Sequence, residues 1–323
     1  MAEMTYREAL RTTLREALQQ DERVFLIGED IGEYGGAYGV TRGLLAEFGE
    51  KRVKDSPIAE SVLVGCGVGA AMAGLRPVVE IMSISFSLLA SDQIVNVAAK
   101  LHYMSGGQIH VPLVIRTVTG GGNMLAATHS QSLEGWYAHV PGLKVVAPAT
   151  PADARGMLRA AIADPNPVIF VEHSLLYPMK GEVSDGPYVT PLGKAKVVRP
   201  GKDVTIVSYL RMTQTALAAA ELLAKEGIDA EVVDLRTLRP LDRETFVASA
   251  RKTHRAVVVE EGWGTYGIGA EVASTIASAA FDEMDAPVAR VSGEDVPMPY
   301  NKELERAAIP DAPRIVAAVK SLL

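Results

Sequence analysis

Among its 323 residues the chain has one cysteine, Cys66, so it holds no internal disulfide framework and no zinc site built from several thiolates. Cys66 stands among glycine and valine, a context that predicts a small buried apolar side chain rather than a nucleophile. No basic run is present, and 32 basic against 39 acidic residues give a net charge of −7, which disfavours generic binding to nucleic acid or to an anionic membrane. No HxxxH or comparable ligand spacing links the six histidines, so a transition-metal site is not expected. Met1 to Tyr6 shows no basic region followed by an apolar stretch. No charge-free apolar run reaches the ~18 residues of a membrane helix. The longest candidate, Ser61 to Leu75, is short and rich in glycine and alanine. The expectation is a soluble, cytoplasmic-type protein.

What is present is α/β. At 48% apolar and 22% charged residues the composition is that of an ordinary globular protein, and a chain of this length is expected to form two domains. Tyr6 to Gln20 reads as a helix with Ala9, Leu10, Leu14, Ala17 and Leu18 on one stripe, and Thr5 with Glu8 has the capping-box spacing. Apolar strands at Val24 to Gly28, Pro77 to Ile81, Val111 to Arg116, Val145-Val146 and Val168 to Glu172 alternate with helical segments, among them Ser91 to Met104 and Pro151 to Ala163. Continuous apolar strands of this kind predict a mainly parallel sheet with helices on both faces. Prolines and glycines crowd Leu175 to Pro200, and the alternation resumes at Val204. The predicted organisation is therefore a first domain over 1–178, a linker over 179–200 and a second α/β domain over 201–323.

Gly65, Gly69 and Ala73 recur at helical spacing and leave one helix face almost bare, open to a close neighbour. Gly65-x-Gly67-x-x-Ala70 imitates a dinucleotide fingerprint, but no apolar strand precedes it and the next acid is Glu80, so a nicotinamide site is rejected.

Three features could carry chemistry. Glu60 precedes sixteen residues, Ser61 to Arg76, whose only charge is the last. Burial there would raise its pKa and suit it to proton transfer; the alternative is a helix-start carboxylate stabilised by the dipole near water. His129 follows the Gly120 to Gly122 turn beyond a strand's carboxyl end, where open parallel sheets place ligands, and imidazole can act as acid or base; the alternative is simple exposure. His139 ranks lower because Trp136 and Tyr137 suggest packing. Glu29-Asp30 ends a strand beside the glycine-rich Gly32 to Gly43 loop, which could cradle a phosphate or serve as a mobile contact loop.

Several blocks, in order, carry a family resemblance: Asp55-Ser56-Pro57-Ile58-Ala59-Glu60, Gly69 to Pro77, Ser91-Asp92-Gln93-Ile94-Val95-Asn96, His129-Ser130-Gln131, His139 to Val146, and Val233 to Asp242. Together they resemble the beta subunit of the thiamine-diphosphate-dependent decarboxylating component of 2-oxoacid dehydrogenases, of the pyruvate dehydrogenase type. The resemblance implies a transketolase-type pyrimidine-binding domain followed by a transketolase-type C-terminal domain. It implies that Glu60 hydrogen-bonds the aminopyrimidine ring of the cofactor and so promotes proton loss from the thiazolium carbon. Phe86, Ile58 and Met82 would line the pyrimidine, and Glu29 would stand behind Glu60. His129 would handle the acyl fragment on its way to a lipoyl group. A potassium ion would sit mainly on backbone carbonyls of Leu113, Ala161, Ile162, Asp164 and Asn166.

The family's diphosphate and Mg2+ are held by a Gly-Asp-Gly motif on an alpha subunit, and no Gly-Asp-Gly occurs here. The implication is half a site, an obligate alpha partner in an α2β2 heterotetramer, and a dihydrolipoyl acyltransferase core as the next partner. Tyr103 to Gly107 and Asp295 to Tyr300 resemble pyruvate-type members, while branched-chain 2-oxoacid and acetoin members share much of the remainder. Ser56 stands where threonine is more usual. A non-catalytic assembly module using the small-residue face, and a half of a split transketolase or deoxyxylulose-phosphate synthase, are the rival readings.

Overall fold

The computed structural model describes residues 2–323, which divide into two compact units. The first comprises the chain up to Thr119 together with Trp136–Leu192; the second comprises Gly120–Gly135 and Gly193–Leu323.

In the first unit, strand β1 (Ala2–Thr5) leads into helix α1 (Tyr6–Gln20), and β2 (Val24–Gly28) precedes the short α2 (Leu44–Phe48) and β3 (Val53–Asp55). Helix α3 (Glu60–Met72), β4 (Arg76–Ile81), the four-residue α4 (Leu101–Met104) and β5 (Val114–Thr119) follow. Helix α5 spans Glu134–His139, and β6 (Lys144–Val146), α6 (Pro151–Ala163), β7 (Val168–His173) and β8 (Lys180–Val183) come after it. Six strands of this unit are mutually parallel in the order β6-β7-β5-β4-β2-β3. Strands β1 and β8 form a separate antiparallel ribbon. Lys180–Val183 thus forms a strand inside the stretch expected to be linker.

Helix α1 forms where its apolar stripe requires. Tyr6, Ala9, Leu10, Leu14 and Leu18 are buried, and the Thr5–Glu8 capping box closes its N-terminus with both reciprocal bonds made. The predicted Ser91 to Met104 helix is interrupted. Gln93–Ala98 is a π-helical turn, with the Ala99 amide reaching Ile94 five residues back, and α-helix resumes only at Leu101–Met104. Here Gln93 lies beside Gly65 of α3, 3.4 Å from where a Cβ would stand. The bare face of α3 is therefore partly covered by this chain itself, while Gly69 and Ala73 remain exposed. The glycine of α3 that packing demands is Gly67, where a Cβ would come within 2.7 Å of Val79.

Cys66 is exposed, which corrects the expected buried residue. Helix α3 is made of glycine, alanine, valine and other small residues nearly all round, so its sequence contains no polar stripe to say which side faces out. His139 is likewise exposed, with Trp136 beside it 63% exposed, rather than packed.

The second unit contains β9 (Lys196–Arg199), β10 (Val204–Ser208), α7 (Arg211–Lys225), β11 (Ala230–Asp234) and the short β12 (Thr237–Arg239). It continues with α8 (Arg243–Thr253), β13 (Ala256–Trp263), α9 (Ile268–Ala279), β14 (Ala289–Gly293), α10 (Lys302–Ala308) and α11 (Ala312–Lys320). Its sheet runs β14-β13-β10-β11-β9, parallel except for β9. Every residue of β10 and β11 is buried, so both sheet faces are covered: α7 packs with α11, and α8 with α9. Val204, Ile206, Met212, Leu223, Val232, Val257, Ile315 and Val319 form its core.

Candidate active site

Strand register brings the candidate residues of the first unit to one edge. Gly28 at the end of β2 pairs with Asp55 at the end of β3 on one side and with Glu80 near the end of β4 on the other. The segments leaving these three parallel strands carry Glu29, then Ile58 and Glu60, then Met82 and Phe86. The carboxyl edge of an open parallel sheet is where such folds bind ligands.

Glu60 is the first residue of α3 and only 3% exposed, so the helix N-terminus faces a buried carboxylate. Glu29 is buried beside it. Burial, then the charge of Glu60, push the Glu29 carboxyl above its ordinary range, while the Ala59 amide, which donates to it, pulls it back. One oxygen of Glu29, Oε1, is buried without a hydrogen-bond partner. Two buried carboxylates thus stand together with one Glu29 oxygen left without a donor, and a heterocycle bearing a protonated ring nitrogen or an amino group would supply one. Phe86 and Met82 are half-buried, and the turn of Phe86–Ala90 packs on α3. Ile58 is 82% exposed.

The raised Glu29 pKa has a consequence for stability. A carboxyl whose folded pKa exceeds its unfolded value costs stability above the folded pKa, and that cost disappears as pH falls through it towards the unfolded value. Glu29→Gln is therefore expected to raise the urea midpoint at neutral pH, with the gain shrinking as the titration approaches pH ~4.5. A gain that grew on acidification would contradict this.

The glycine-rich loop is tied down rather than open to phosphate. Asp55 Oδ1 accepts from the Gly32 amide at 2.6 Å, the Gly36 amide donates to the Asp30 carbonyl at 2.8 Å, and Thr41 donates to the Ile31 carbonyl at 2.6 Å. A Cβ on Gly32 would stand 2.5 Å from Asp55 Oδ2, and Gly36 needs φ +80°, so neither position takes a side chain. Behind the loop lies a buried charge network that sequence reading did not single out. Arg116 on β5 grips Glu172 of β7 with two bonds of 2.7 and 2.9 Å and reaches Glu80 of β4 at 2.6 Å. Tyr177 donates to Glu172 at 2.7 Å. Burial alone would depress the Arg116 pKa, but Glu172 and Glu80 outweigh it and hold the guanidinium charged.

The residues proposed for potassium all have internal duties. The Leu113 carbonyl accepts from the Val168 amide, Ala161 from the Asp164 amide, and Ile162 from Arg76 at 2.7 Å. Asp164 forms an ion pair with Lys144 and caps the Asn166 amide at 2.9 Å. Among the described residues no group of three His, Cys, Asp or Glu side chains is placed to hold a metal ion.

In the second unit His129 is exposed, with Nδ1 2.9 Å from the Thr128 hydroxyl. Its loop is anchored by carboxylates from far along the chain. Glu261 accepts from the Gly121 amide at 2.8 Å; Glu305 accepts from Gly122 at 2.9 Å and from Met124 at 3.0 and 3.1 Å. Neither glutamate was flagged from sequence, because their partners lie 140 and 181 to 183 residues away.

Residues 2–180 match the family model of the transketolase pyrimidine binding domain, and residues 193–315 match that of the transketolase C-terminal domain. The chain therefore belongs to the transketolase-type proteins that join these two domains. Within them it belongs to the beta subunits of the pyruvate dehydrogenase E1 component. It is 53% identical to subunit beta-1, mitochondrial, of Oryza sativa over 98% of this chain and 86% of that one, and 52% identical to the Rhizobium meliloti subunit beta over 100% of this chain and 70% of that one. A solved structure described as a split-gene transketolase, inactive beta4 tetramer, matches with TM-score 0.80 at 28% identity, covering 99% of this chain and 98% of that one. No helix among the described residues is long and apolar enough to cross a membrane.

Proposed function

We propose that this chain is the beta subunit of a thiamine-diphosphate-dependent pyruvate dehydrogenase component, active only with an alpha subunit in an α2β2 assembly. The reaction is pyruvate plus a proton plus lipoyl disulfide giving carbon dioxide and S-acetyl-dihydrolipoyl. The two electrons left by decarboxylation reduce the disulfide; one sulfur takes the acetyl group and the other the proton. The observation that carries the reading is the pair Glu60 and Glu29, a buried carboxylate couple with an unpartnered oxygen on a pyrimidine-binding-type unit. Bound there, thiamine diphosphate would supply a nucleophilic carbon for the 2-oxo group and an electron sink for decarboxylation.

The protein's part is proton handling and shape. Glu60 holds a proton at the pyrimidine ring nitrogen, and Glu29 keeps that corner anionic and dry enough for the shared proton to matter. Met82 and Phe86, half-buried, would offer the ring apolar surface, and Ile58, exposed here, has its surface available for the cofactor or the alpha subunit. His129 provides the acid that protonates the departing lipoyl sulfur. Mg2+ and the diphosphate fall to the alpha subunit, since this chain has no Gly-Asp-Gly. Potassium, if carried, would add to the carbonyl set of Leu113, Ala161 and Ile162 with Asp164 and Asn166. The dihydrolipoyl acyltransferase core is the partner that receives the acyl group. Pyruvate is preferred over branched-chain 2-oxoacids and acetoin because the beta subunits matched at 50 to 53% identity are pyruvate dehydrogenase subunits.

The test is co-expression with a candidate alpha subunit and assay of thiamine-dependent turnover with an artificial electron acceptor. Pyruvate, branched-chain oxoacids and acetoin would be compared. Turnover is expected only in the mixture, with pyruvate the fastest. Turnover by the beta chain alone would overturn the half-site reading.

A further inference from the structure

The loop that carries His129 is backbone held in an unfavourable shape by a buried anion. Four of its residues, Gly120, Gly122, Met124 and Ala126, have φ between +57° and +101°. Met124 and Ala126 are not glycine, and such conformations persist only where the surroundings over-determine them. The over-determination is visible. The amides of Gly121, Gly122 and Met124 turn towards two carboxylates, as amides in such a nest turn towards a bound anion. Glu305 fills most of this nest. It projects from α10, is 3% exposed, and uses both oxygens on Met124 and one on Gly122. Gly121 is closely packed: a Cβ there would lie 3.1 Å from Ile309, 3.2 Å from Met298 and 3.5 Å from Glu305 Oε1. The far end of the loop is pinned by the Gly120 amide to Gln131 and the His129 amide to Ala126.

We propose that Glu305 is a positioning residue for the chemistry at His129: its carboxylate, seated in the amide nest of Gly122 and Met124, fixes the loop that presents the imidazole. The proposal rests on the reading of His129 as the acid of lipoyl acylation. Glu305 itself touches no reacting atom. Removing it frees two part-buried amides and releases two non-glycine residues from left-handed backbone, so the loop relaxes and the imidazole is no longer held.

The experiment uses the assembled alpha–beta holoenzyme and two assays: decarboxylation with an artificial electron acceptor, and acetyl transfer to a free lipoyl domain. Variants are Glu305→Ala, Glu305→Gln, His129→Ala, the double His129→Ala/Glu305→Ala, and Glu303→Ala as an exposed control on the same helix. Glu305→Ala is expected to lower the ratio of transfer to decarboxylation by about tenfold to a hundredfold, the scale of an ångström-level misplacement. Glu305→Gln keeps one acceptor oxygen and should fall between it and the native chain, and Glu303→Ala should match the native ratio. The double variant should be no worse than His129→Ala, because both changes remove the same held imidazole. An unchanged ratio in both Glu305 variants, an equal loss in both assays, or multiplying losses in the double variant would overturn the proposal. If His129→Ala itself transfers acetyl normally, the reading of His129 falls and the positioning role falls with it. Thermal melting of each assembly separates misfolding from misplacement, and Glu305→Gln carries the test if Glu305→Ala does not assemble.

Discussion

Glu60→Gln, assembled with an alpha subunit, loses thiamine-dependent turnover by about a hundredfold to ten-thousandfold, the range typical of removing a positioned acid–base group. Gln is nearly isosteric and keeps a carbonyl oxygen, so the fold and the start of α3 survive. It cannot hold a transferable proton at the pyrimidine ring nitrogen. The change also removes one of the two charges crowding that corner, which relieves Glu29: the Glu29 carboxyl, pushed up partly by Glu60, should return towards its ordinary range. Folding stability at neutral pH should therefore hold or rise while activity collapses. That opposite movement distinguishes a catalytic carboxylate from a structural one. Activity with pyruvate and an artificial acceptor, beside a urea titration of the same preparation, measures both. Retention of the full rate would sink the role of Glu60, and a matching loss of stability would make it structural.

Arg116→Met is expected to cost about 3–5 kcal/mol, the usual penalty for breaking a buried ion pair by removing one partner. Glu172 is fully buried and would keep only the Tyr177 hydroxyl, with Glu80 left beside it. A loss of this size is a large share of the ~5–15 kcal/mol that keeps a typical domain folded, so poor soluble yield accompanies it. Its pH dependence follows from the sign of the shift. Burial already pushes the Glu172 carboxyl up, and without the guanidinium it rises further, so the deficit is full above the Glu172 pKa and shrinks as pH falls and Glu172 takes up a proton. Arg116→Met combined with Glu172→Gln should recover part of the loss, because the neutral amide carries no charge to strand. Urea midpoints of the native chain and the two variants at neutral and mildly acid pH test this. A deficit independent of pH, or no recovery in the double variant, would mean that the network contributes through shape alone.

Much of the local structure was legible because it is encoded locally. The Thr5–Glu8 spacing and the stripe of α1 are contained within a few turns; the capping box appears as read, and so does the stripe except for Ala17, which is only half-buried. The central strands of both sheets are rich in valine and isoleucine, as burial on two faces demands of a parallel sheet. Where the pattern is uninformative the reading failed. Helix α3 has small residues on nearly every side, so neither the exposure of Cys66 nor the need for Gly67 against Val79 could be read from it. The π-helical turn at Gln93–Ala98 depends on its neighbour: Gln93 lies against Gly65, a contact no helical periodicity announces.

The candidate site divides the same way. Glu60 could be named from its own short motif, Asp55 to Glu60, whereas Glu29, Met82 and Phe86 could be named at the cofactor only as positions the family resemblance implies. Their convergence could not, since it depends on β3, β2 and β4 lying side by side in parallel register, with Gly28 opposite both Asp55 and Glu80. The groups that hold the site in shape were silent. Arg116 reads as one polar residue in an apolar strand until Glu80 and Glu172 arrive from two other strands. Glu261 and Glu305 acquire meaning only when chain 140 and more residues away folds back onto their carboxylates. By itself, then, the sequence determined the two α/β units, their periodic elements, and the residue types available for proton transfer, all of which rest on near-neighbour spacing. Only the tertiary structure decided which carboxylates are buried together, which amides are consumed by them and which surfaces stay bare. Those outcomes depend on desolvation and on contacts between segments far apart in the chain, and neither is a property of any local stretch.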